Sequence, residues 1–361
     1  MAVTDNPDFD IHEDVRTFDL DPQGVRAIIA IHSTSCGPAA GGCRVWRYQN
    51  EDLAVSDALR LSRGMSYKNA MAGLPFGGGK SVIMLPAGEV DRQEMFASFG
   101  RTVDSLGGRY ITAEDVGSTV ADMQVVRTQT PYVGGLPAVS GCAGGDPSPW
   151  TALGVFASIQ AVVDAQPGRS MRDVKVAVQG AGAVGADLCR RLAAAGAQIV
   201  LADINVDRAK AVAERFEAYL VAPEYIHKVD CDVYAPCALG GGLNRRSVEE
   251  LHASIVCGAA NNQLVDPSVG DLLHDRGVLY CPDYVVNAGG IIAIYGESVG
   301  DSGTDVGDKV LAIPERLMGI LGEAAAERVG PEVVADRIAR ARIGPGALAS
   351  ADDRTSMAAQ P

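Results

Sequence analysis

Residues 174–185 read VKVAVQGAGAVG, and the order of apolar residues and glycines in this run decides the fold. VKVAVQ is a short apolar run of the kind that fills a strand buried on both faces of a parallel sheet. Gly180, Gly182 and Gly185 then match G-x-G-x-x-G, with Ala181, Ala183 and Val184 between them. Glycines there let the chain turn tightly and let its backbone approach a pyrophosphate with no Cβ in the way. The helix that opens at the turn offers unbonded N–H groups and the positive end of its dipole. The motif alone is weak, and its context makes it specific: a strand before it and a helix running through Leu192 after it. The next strand, QIVLADI, carries Asp203, 18 residues past Gly185 and followed by Ile204. An acid at that distance is expected to bond a ribose 2′-hydroxyl. Its charge repels a 2′-phosphate, so NAD is expected rather than NADP. The plain alternative is a glycine-rich turn without a ligand.

Downstream the pattern repeats: a helix over VDRAKAVAERF (206–216), then strands in CDVYAPC, SIVCGA and VLYCPD. Alternation of this kind predicts an α/β fold with a doubly wound parallel sheet. Residues 305–342 read as mainly helical, and the tail from Gly344, rich in small and polar residues, as frayed. Upstream, a helix is expected over Thr151–Ala165. Residues 131–149, dense in Gly and Pro, read as a hinge. The first third reads as mixed α/β. Gly24–His32 is a strand with Val25, Ala27, Ile29 and Ile31 on alternate positions, and residues 51–72 suit a helix. GLPFGGGK (73–80) reads as a turn, SVIML after it as a short strand, and residues 109–113 as a strand ending at Glu114–Asp115. Two domains follow: residues 1–135, joined by about 331–361, and residues 136–330. A cleft that closes on a small molecule is expected of such a pair.

Composition supports the class. The chain has 361 residues, 47% of them hydrophobic, enough for two cores. Its net charge of −14 argues against nucleic acid as a partner. No run is long and apolar enough for a membrane span, and the acidic N-terminus lacks the apolar core of a signal peptide. The eight cysteines form no C-x-x-C pair and suit free thiols in a reducing cytoplasm better than disulfides or a metal site.

Lys80 follows three glycines, and Lys68 stands twelve positions earlier. A lysine crowded by backbone is partly dry, and desolvation or a second cation makes it a better base. The plain alternative is two solvated surface lysines. The five histidines (His12, His32, His227, His252, His274) lie outside glycine-rich contexts and read as surface or core residues, which turns attention from His–Asp chemistry to lysine and carboxylate.

GLPFGGGKSVI, GPAAGGCRVW (37–46), GMSYKNA (64–70), RYITAEDVGST (109–119), DPSPWTALGVF (146–156), VQGAGAVG, CDVYAPCALGG (231–241), GAANNQL (258–264) and PDYVVNAGG (282–290) together resemble the Glu/Leu/Phe/Val dehydrogenase family over roughly residues 20–340. The resemblance implies an N-terminal domain for substrate binding and oligomerisation and a Rossmann domain for NAD, in a homo-oligomer. It implies oxidative deamination of an L-amino acid to a 2-oxo acid, ammonia and NADH. Lys80 resembles the lysine that activates water, Asp115 the acid that exchanges protons with the amino group, and Lys68 the lysine that binds the substrate carboxylate. Gly41, Gly42, Met65, Asn262 and Asn287 match substrate-contacting positions. Thr151, Cys237, Ala238, Ala260 and Asn262 join Gly180–Gly185, Asp203 and Ile204 on the cofactor side. The family's side-chain pocket matches Ala40, Ala113, Ile291 and Ile294, all apolar. Glutamate-specific members carry a lysine at Ala40, so a distal carboxylate would be buried unpaired here. Bulky apolar side chains, branched or aromatic, are expected instead. Ala40, Cys43 and Trp150 depart from the commonest pattern and leave the particular amino acid open. Two other readings stand beside this one: an NAD oxidoreductase of other amines or imines, and a dinucleotide-binding protein without catalysis.

Overall fold

The structure, a computed structural model, describes residues 3–20, 24–138 and 141–344. The chain forms two compact units. One holds the described residues up to Pro137 and those from Ile338 onward; the other is Ala138–Arg337. The chain leaves the first unit inside the glycine- and proline-rich stretch and re-enters it within the helix Pro331–Ile343. Val139 and Ser140 of the expected hinge, and the tail beyond Gly344, lie outside the described residues.

The first unit is built on a mixed sheet of β1 (Asp14–Leu20), β2 (Val25–Ser33), β3 (Ala39–Trp46), β4 (Gly77–Met84) and β5 (Tyr110–Glu114), in the order β1-β2-β4-β3-β5. β2 is antiparallel to β1 and β4, and β3 is parallel to β4 and β5. The alternation read in β2 describes only one of its faces. Val25, Ala27, Ile29 and Ile31 pack with Phe96 and Phe99 of α2 (Arg92–Asp104) and with Met123 and Val126 of α3 (Val120–Arg127). Ile28 and Ala30 are buried too, against Ala54 and Ala58 of α1 (Glu51–Ala72). With helices on both faces, the strand is buried on both sides from Ala27 onward, and only Arg26 at its start is exposed. α1 begins where the Asn50 side chain accepts from Leu53 N–H, and it ends at Gly73 in the left-handed region, as helix caps require.

The structure corrects one reading here. Gly77, Gly78, Gly79 and Lys80 are not a turn before a strand; they are the first half of β4. The reason is packing, not turn chemistry. A Cβ on Gly78 would fall 2.1 Å from the backbone nitrogen of Ser66 in α1, and one on Gly77 2.0 Å from the Ser33 carbonyl oxygen. Without side chains, α1 lies directly on the strand.

The second unit holds a six-stranded parallel sheet of β6 (Lys175–Gln179), β7 (Gln198–Ala202), β8 (Tyr219–Leu220), β9 (Val233–Pro236), β10 (Ile255–Val256) and β11 (Leu279–Tyr280), ordered β11-β10-β9-β6-β7-β8. This is the doubly wound α/β arrangement. Its helices include α4 (Ser148–Asp164), α5 (Ala183–Ala194) and α6 (Val206–Phe216). β8, two exposed residues long, gives no sequence signal. Strand order reverses between β6 and β9, and ligands bind in such folds beyond the carboxyl ends of strands at that switch point. Residues 305–342 are helical with breaks, in Gly303–Leu311, Ile313–Glu327 and Pro331–Ile343. Among the described residues no helix is long and apolar enough to cross a membrane. All eight cysteines are free thiols, and Cys43, Cys189, Cys257 and Cys281 are buried.

Candidate active site

In the first unit the middles of β3 and β4 and the carboxyl end of β5 converge. Gly41 and Gly42 on β3 make this possible. A Cβ on Gly41 would sit 1.8 Å from the Gly79 carbonyl oxygen and 3.2 Å from Met65 Cγ; one on Gly42 would sit 2.7 Å from Asp115 Cβ. Lys80 is almost fully buried on β4, and its Nζ lies 2.7 Å from Asp115 Oδ2. Asp115 follows β5, and its turn is pinned by Ser118. The Ser118 hydroxyl oxygen accepts from Asp115 N–H at 2.9 Å and bonds the Cys43 carbonyl at 2.8 Å. Lys68 is buried on α1, two residues beyond Ser66, whose backbone abuts β4 at Gly78. Ala40 and Ala113 are buried; Ala113 pairs with Gly42 in the sheet register. The solvated-lysine alternative therefore fails for both lysines, since neither is more than 8% exposed.

Sequence reasoning passed over Arg44, Asp57 and Tyr48. The Arg44 Nε is 3.3 Å from Asp115 Oδ2, and its Nη1 donates to Asp57 Oδ2 at 2.8 Å. The Tyr48 hydroxyl donates to the same Asp57 oxygen at 2.5 Å. The signal was available: Arg44 is a fixed charge within GGCRVW, a strand otherwise made of small and apolar residues. Burial by itself would raise the Asp115 carboxyl, but Lys80 and Arg44 beside it outweigh burial and hold it well below the usual carboxylate range. Tyr48 moves the other way: burial and the Asp57 carboxylate push its hydroxyl well above the ordinary tyrosine value, so it stays a donor.

The histidines keep their structural reading in this unit. His12 and His32 are buried in edge-to-face contact, with His12 Nε2 at the Leu59 carbonyl and the Ser62 hydroxyl, and His32 Nδ1 at the Ser66 hydroxyl.

In the second unit the turn 180–185 leaves β6 at the switch point. Gly180 has φ +106°, and a Cβ there would lie 2.9 Å from the Cys237 carbonyl; Gly185 could carry none, since it would fall 2.0 Å from the Gly180 oxygen. A Cβ on Gly182 would meet nothing nearer than the Arg208 guanidinium at 4.0 Å. Gly182 caps α5 with no side-chain bond to its first N–H groups. Open space at Gly182 and a helix N-terminus without a side-chain cap fit a pyrophosphate, so the residues present suit a dinucleotide. Asp203 accepts from Ala181 N–H at 2.6 Å and from Asn205 N–H at 2.7 Å, which fixes its carboxylate beside the turn. Ile204, next to it, is 91% exposed. Cys237 and Ala238 border Gly180, and Ala260 donates its N–H to the Pro236 carbonyl at 2.8 Å. Asn262 stands at φ +50° with its N–H bonded to Asp283 at 2.7 Å. Asn287 is buried, donating to Ala259 and Asn261 oxygens. Thr151 faces Gly290, where a Cβ would fall 2.8 Å from its hydroxyl. Ile291 and Ile294 are buried in the helix Gly289–Val299. The expected residues thus fall into two sets, one in each unit.

A dinucleotide turn with its acid in one unit and a buried lysine–carboxylate pair in the other define a nicotinamide-dependent dehydrogenase. Similarity to known proteins narrows the class. The dimerisation domain of Glu/Leu/Phe/Val dehydrogenases matches residues 10–132, and the Glutamate/Leucine/Phenylalanine/Valine dehydrogenase domain matches 147–311. The leucine dehydrogenase of Bacillus subtilis is 45% identical, over 89% of this chain and 88% of its own. The valine dehydrogenase of Streptomyces albus is 44% identical over 92% of each. The crystal structure of L-tryptophan dehydrogenase from Nostoc punctiforme superposes with a TM-score of 0.73 at 41% identity, covering 92% of this chain and 96% of that one. The chain belongs to the Glu/Leu/Phe/Val dehydrogenase family. It is an amino-acid dehydrogenase, and its cofactor is NAD.

Proposed function

We propose that the protein oxidatively deaminates a bulky apolar L-amino acid: amino acid, NAD and water give the 2-oxo acid, ammonium, NADH and a proton. The observation that carries this reading is the buried pair of Lys80 and Asp115, 2.7 Å apart. NAD, when bound, accepts the hydride that leaves Cα. Every other step falls to the chain's own groups. Lys68 holds the substrate carboxylate and fixes the orientation of Cα. Asp115 exchanges protons with the substrate nitrogen, and Lys80 takes the proton of the water that attacks the resulting imine carbon. Asn262 and Asn287 supply polar contacts to substrate and cofactor. Thr151, Cys237, Ala238 and Ala260 line the cofactor side with Gly180–Gly185 and Asp203.

We assign recognition of the substrate side chain to Ala40 and Ala113 of the first unit and to Ile291 and Ile294 of the second, each buried and apolar. A glutamate side chain would bury a charge against them without a partner, a loss of several kcal/mol, on the order of 2–5. The relatives named for leucine, valine and tryptophan span the expected size range. A homo-oligomer is the expected assembly, supported by the match of residues 10–132 to a dimerisation domain.

The test is absorbance at 340 nm with NAD and L-leucine, L-valine, L-phenylalanine, L-tryptophan and L-glutamate. The apolar substrates should give the higher kcat/KM; a preference for glutamate would overturn the pocket assignment. Lys80→Ala should abolish turnover while NAD binding stays intact. Retained activity would remove Lys80 from the chemistry.

A further inference from the structure

Arg44 belongs to no role assigned so far, yet it is bonded at both ends. One edge of its guanidinium faces Asp115 and the other donates to Asp57 on α1. The Tyr48 hydroxyl donates to the same Asp57 oxygen. Arg44 is only 11% exposed and Asp115 only 14%, so the contact is sheltered from solvent. We propose that Arg44 is a positioning residue of the deamination reaction: anchored by Asp57 and Tyr48, it holds Asp115 in place and keeps a permanent positive charge beside that carboxylate when Lys80 has given up its own.

This role of Arg44 rests on those proposed above for Lys80 and Asp115. A lysine that takes and returns a proton alternates between charged and neutral. If Lys80 were the sole partner of Asp115, each cycle would leave a buried carboxylate uncompensated, which is costly. The carboxylate would then turn toward solvent or capture a proton. A guanidinium does not lose its proton in a protein, so its charge is constant through the cycle. Its planar fork also suits two carboxylates lying on different edges, which an ammonium cannot bridge with the same geometry.

The surrounding charges leave this task to Arg44. Lys80 reaches Asp115 from β4 and Arg44 reaches it from β3. Asp57 on α1 engages the other edge of Arg44. Asp122 on α3 is paired with Arg92 at 2.7 Å. Ser118 supplies only neutral bonds at the turn of Asp115. The competing explanation is that Arg44 merely ties α1 to β3.

The experiment uses the whole enzyme with NAD and the best amino acid of the panel, comparing Arg44→Ala, Arg44→Lys, Asp57→Asn and Asp115→Asn. Arg44→Ala should lower kcat by about 10²-fold, the loss expected of a displaced catalytic group, with KM for NAD unchanged. The acid limb of its kcat–pH profile should move to higher pH, because a fixed positive charge has left the site. Added guanidinium should restore part of the activity of Arg44→Ala and none of that of Asp115→Asn. Arg44→Lys should keep the acid limb in place with an intermediate kcat. Should Arg44→Ala fail to fold, Asp57→Asn and Arg44→Lys carry the test, and Asp57→Asn should give a smaller loss of kcat with the same sign of pH shift. A loss of kcat with an unmoved acid limb and no guanidinium rescue would overturn the inference in favour of a structural tie, as would a wild-type profile. Undiminished activity in Asp115→Asn would instead sink the role of Asp115 itself, so the two failures are distinguishable.

Discussion

Asp203 shows how much one carboxylate can fix. Its two oxygens accept from the N–H groups of Ala181 and Asn205, so its charge cannot swing away from the phosphate turn. A ribose 2′-phosphate brought there meets a held negative charge, and discrimination follows from repulsion as well as from the lost hydroxyl bond. Asp203→Ala should therefore lower the ratio of kcat/KM for NAD over NADP by about tenfold or more, since about 1.4 kcal/mol is tenfold. Steady-state assays with both cofactors check this, and an unchanged ratio would remove Asp203 from cofactor choice. His12 makes a different prediction. Burial lowers its pKa to about 4, with His32 adding to the effect. Unfolded, it titrates near 6.5. Between those values the unfolded chain binds a proton that the native chain refuses, so stability is full above about pH 6.5 and falls as pH drops toward 4, by at most about 3 kcal/mol. Asp10 beside it, lowered to about 2 by its bond to His32, adds a loss of the same direction at still lower pH. The other groups facing His12, namely Arg63, Ser62 and the Leu59 carbonyl, do not titrate in this window. Urea unfolding at pH 7 and pH 5 should show a smaller drop for His12→Gln than for the parent chain; an equal drop would place the acid sensitivity elsewhere.

At the scale of elements, β4 is the instructive case. Three consecutive glycines are poor strand formers by local preference, which is why Gly77–Gly79 read as a turn. Tertiary packing overrides that preference, because α1 and the Tyr110 ring occupy the volume where side chains would be. Gly78→Ala should cost on the order of 3 kcal/mol, since backbone rather than a flexible side chain stands in the way. Gly88→Ala is the control: nothing lies within 4 Å of its Cβ position, and its effect should stay within about 0.5 kcal/mol. Thermal denaturation of both variants decides; equal melting temperatures would mean that α1 can shift away from β4 freely. The same contrast explains what was legible. α6 was readable to the residue, and β6, the glycine turn and Asp203 were readable as a unit, because each is written in contiguous sequence. Lys80, Lys68 and Asp115 were found one by one, though only the fold shows Lys80 and Asp115 in contact. Arg44, Asp57 and Tyr48 were missed because their link is made by β3 pairing between β4 and β5 and by α1 crossing over them, which no local pattern records. The dry second face of β2 escaped for the same reason: a period-2 pattern reports one covered face, and here there are two.

The proposed reaction divides its labour between units with separate cores. Phe96, Phe99, Tyr110 and Met123 centre the first; Leu243, Val248, Leu273 and Tyr280 belong to the second. The groups assigned to bind NAD lie in the second, and Lys68, Lys80 and Asp115 lie in the first. Ligands that bind the native state stabilise the segments they order, by about 2.7 kcal/mol at a hundredfold excess over Kd. Local opening then slows where contacts form and not elsewhere. Hydrogen exchange followed by mass spectrometry should therefore show NAD alone protecting peptides around Gly180–Gly185, Asp203 and Cys237, with β4 and β5 exchanging as before. A 2-oxo acid added to the NADH-bound enzyme should extend protection to the peptides carrying Lys68, Lys80 and Asp115. The acidic balance of the molecule, −14 overall, sharpens the expectation. On the proposed assignment, local N–H donors of the α5 turn would hold an anionic cofactor against that field, so its footprint should be narrow and should fade in Gly185→Ala, whose added Cβ would meet the Gly180 carbonyl oxygen. Protection by NAD alone centred on β4 rather than on the glycine turn would contradict this division and the cofactor assignment with it.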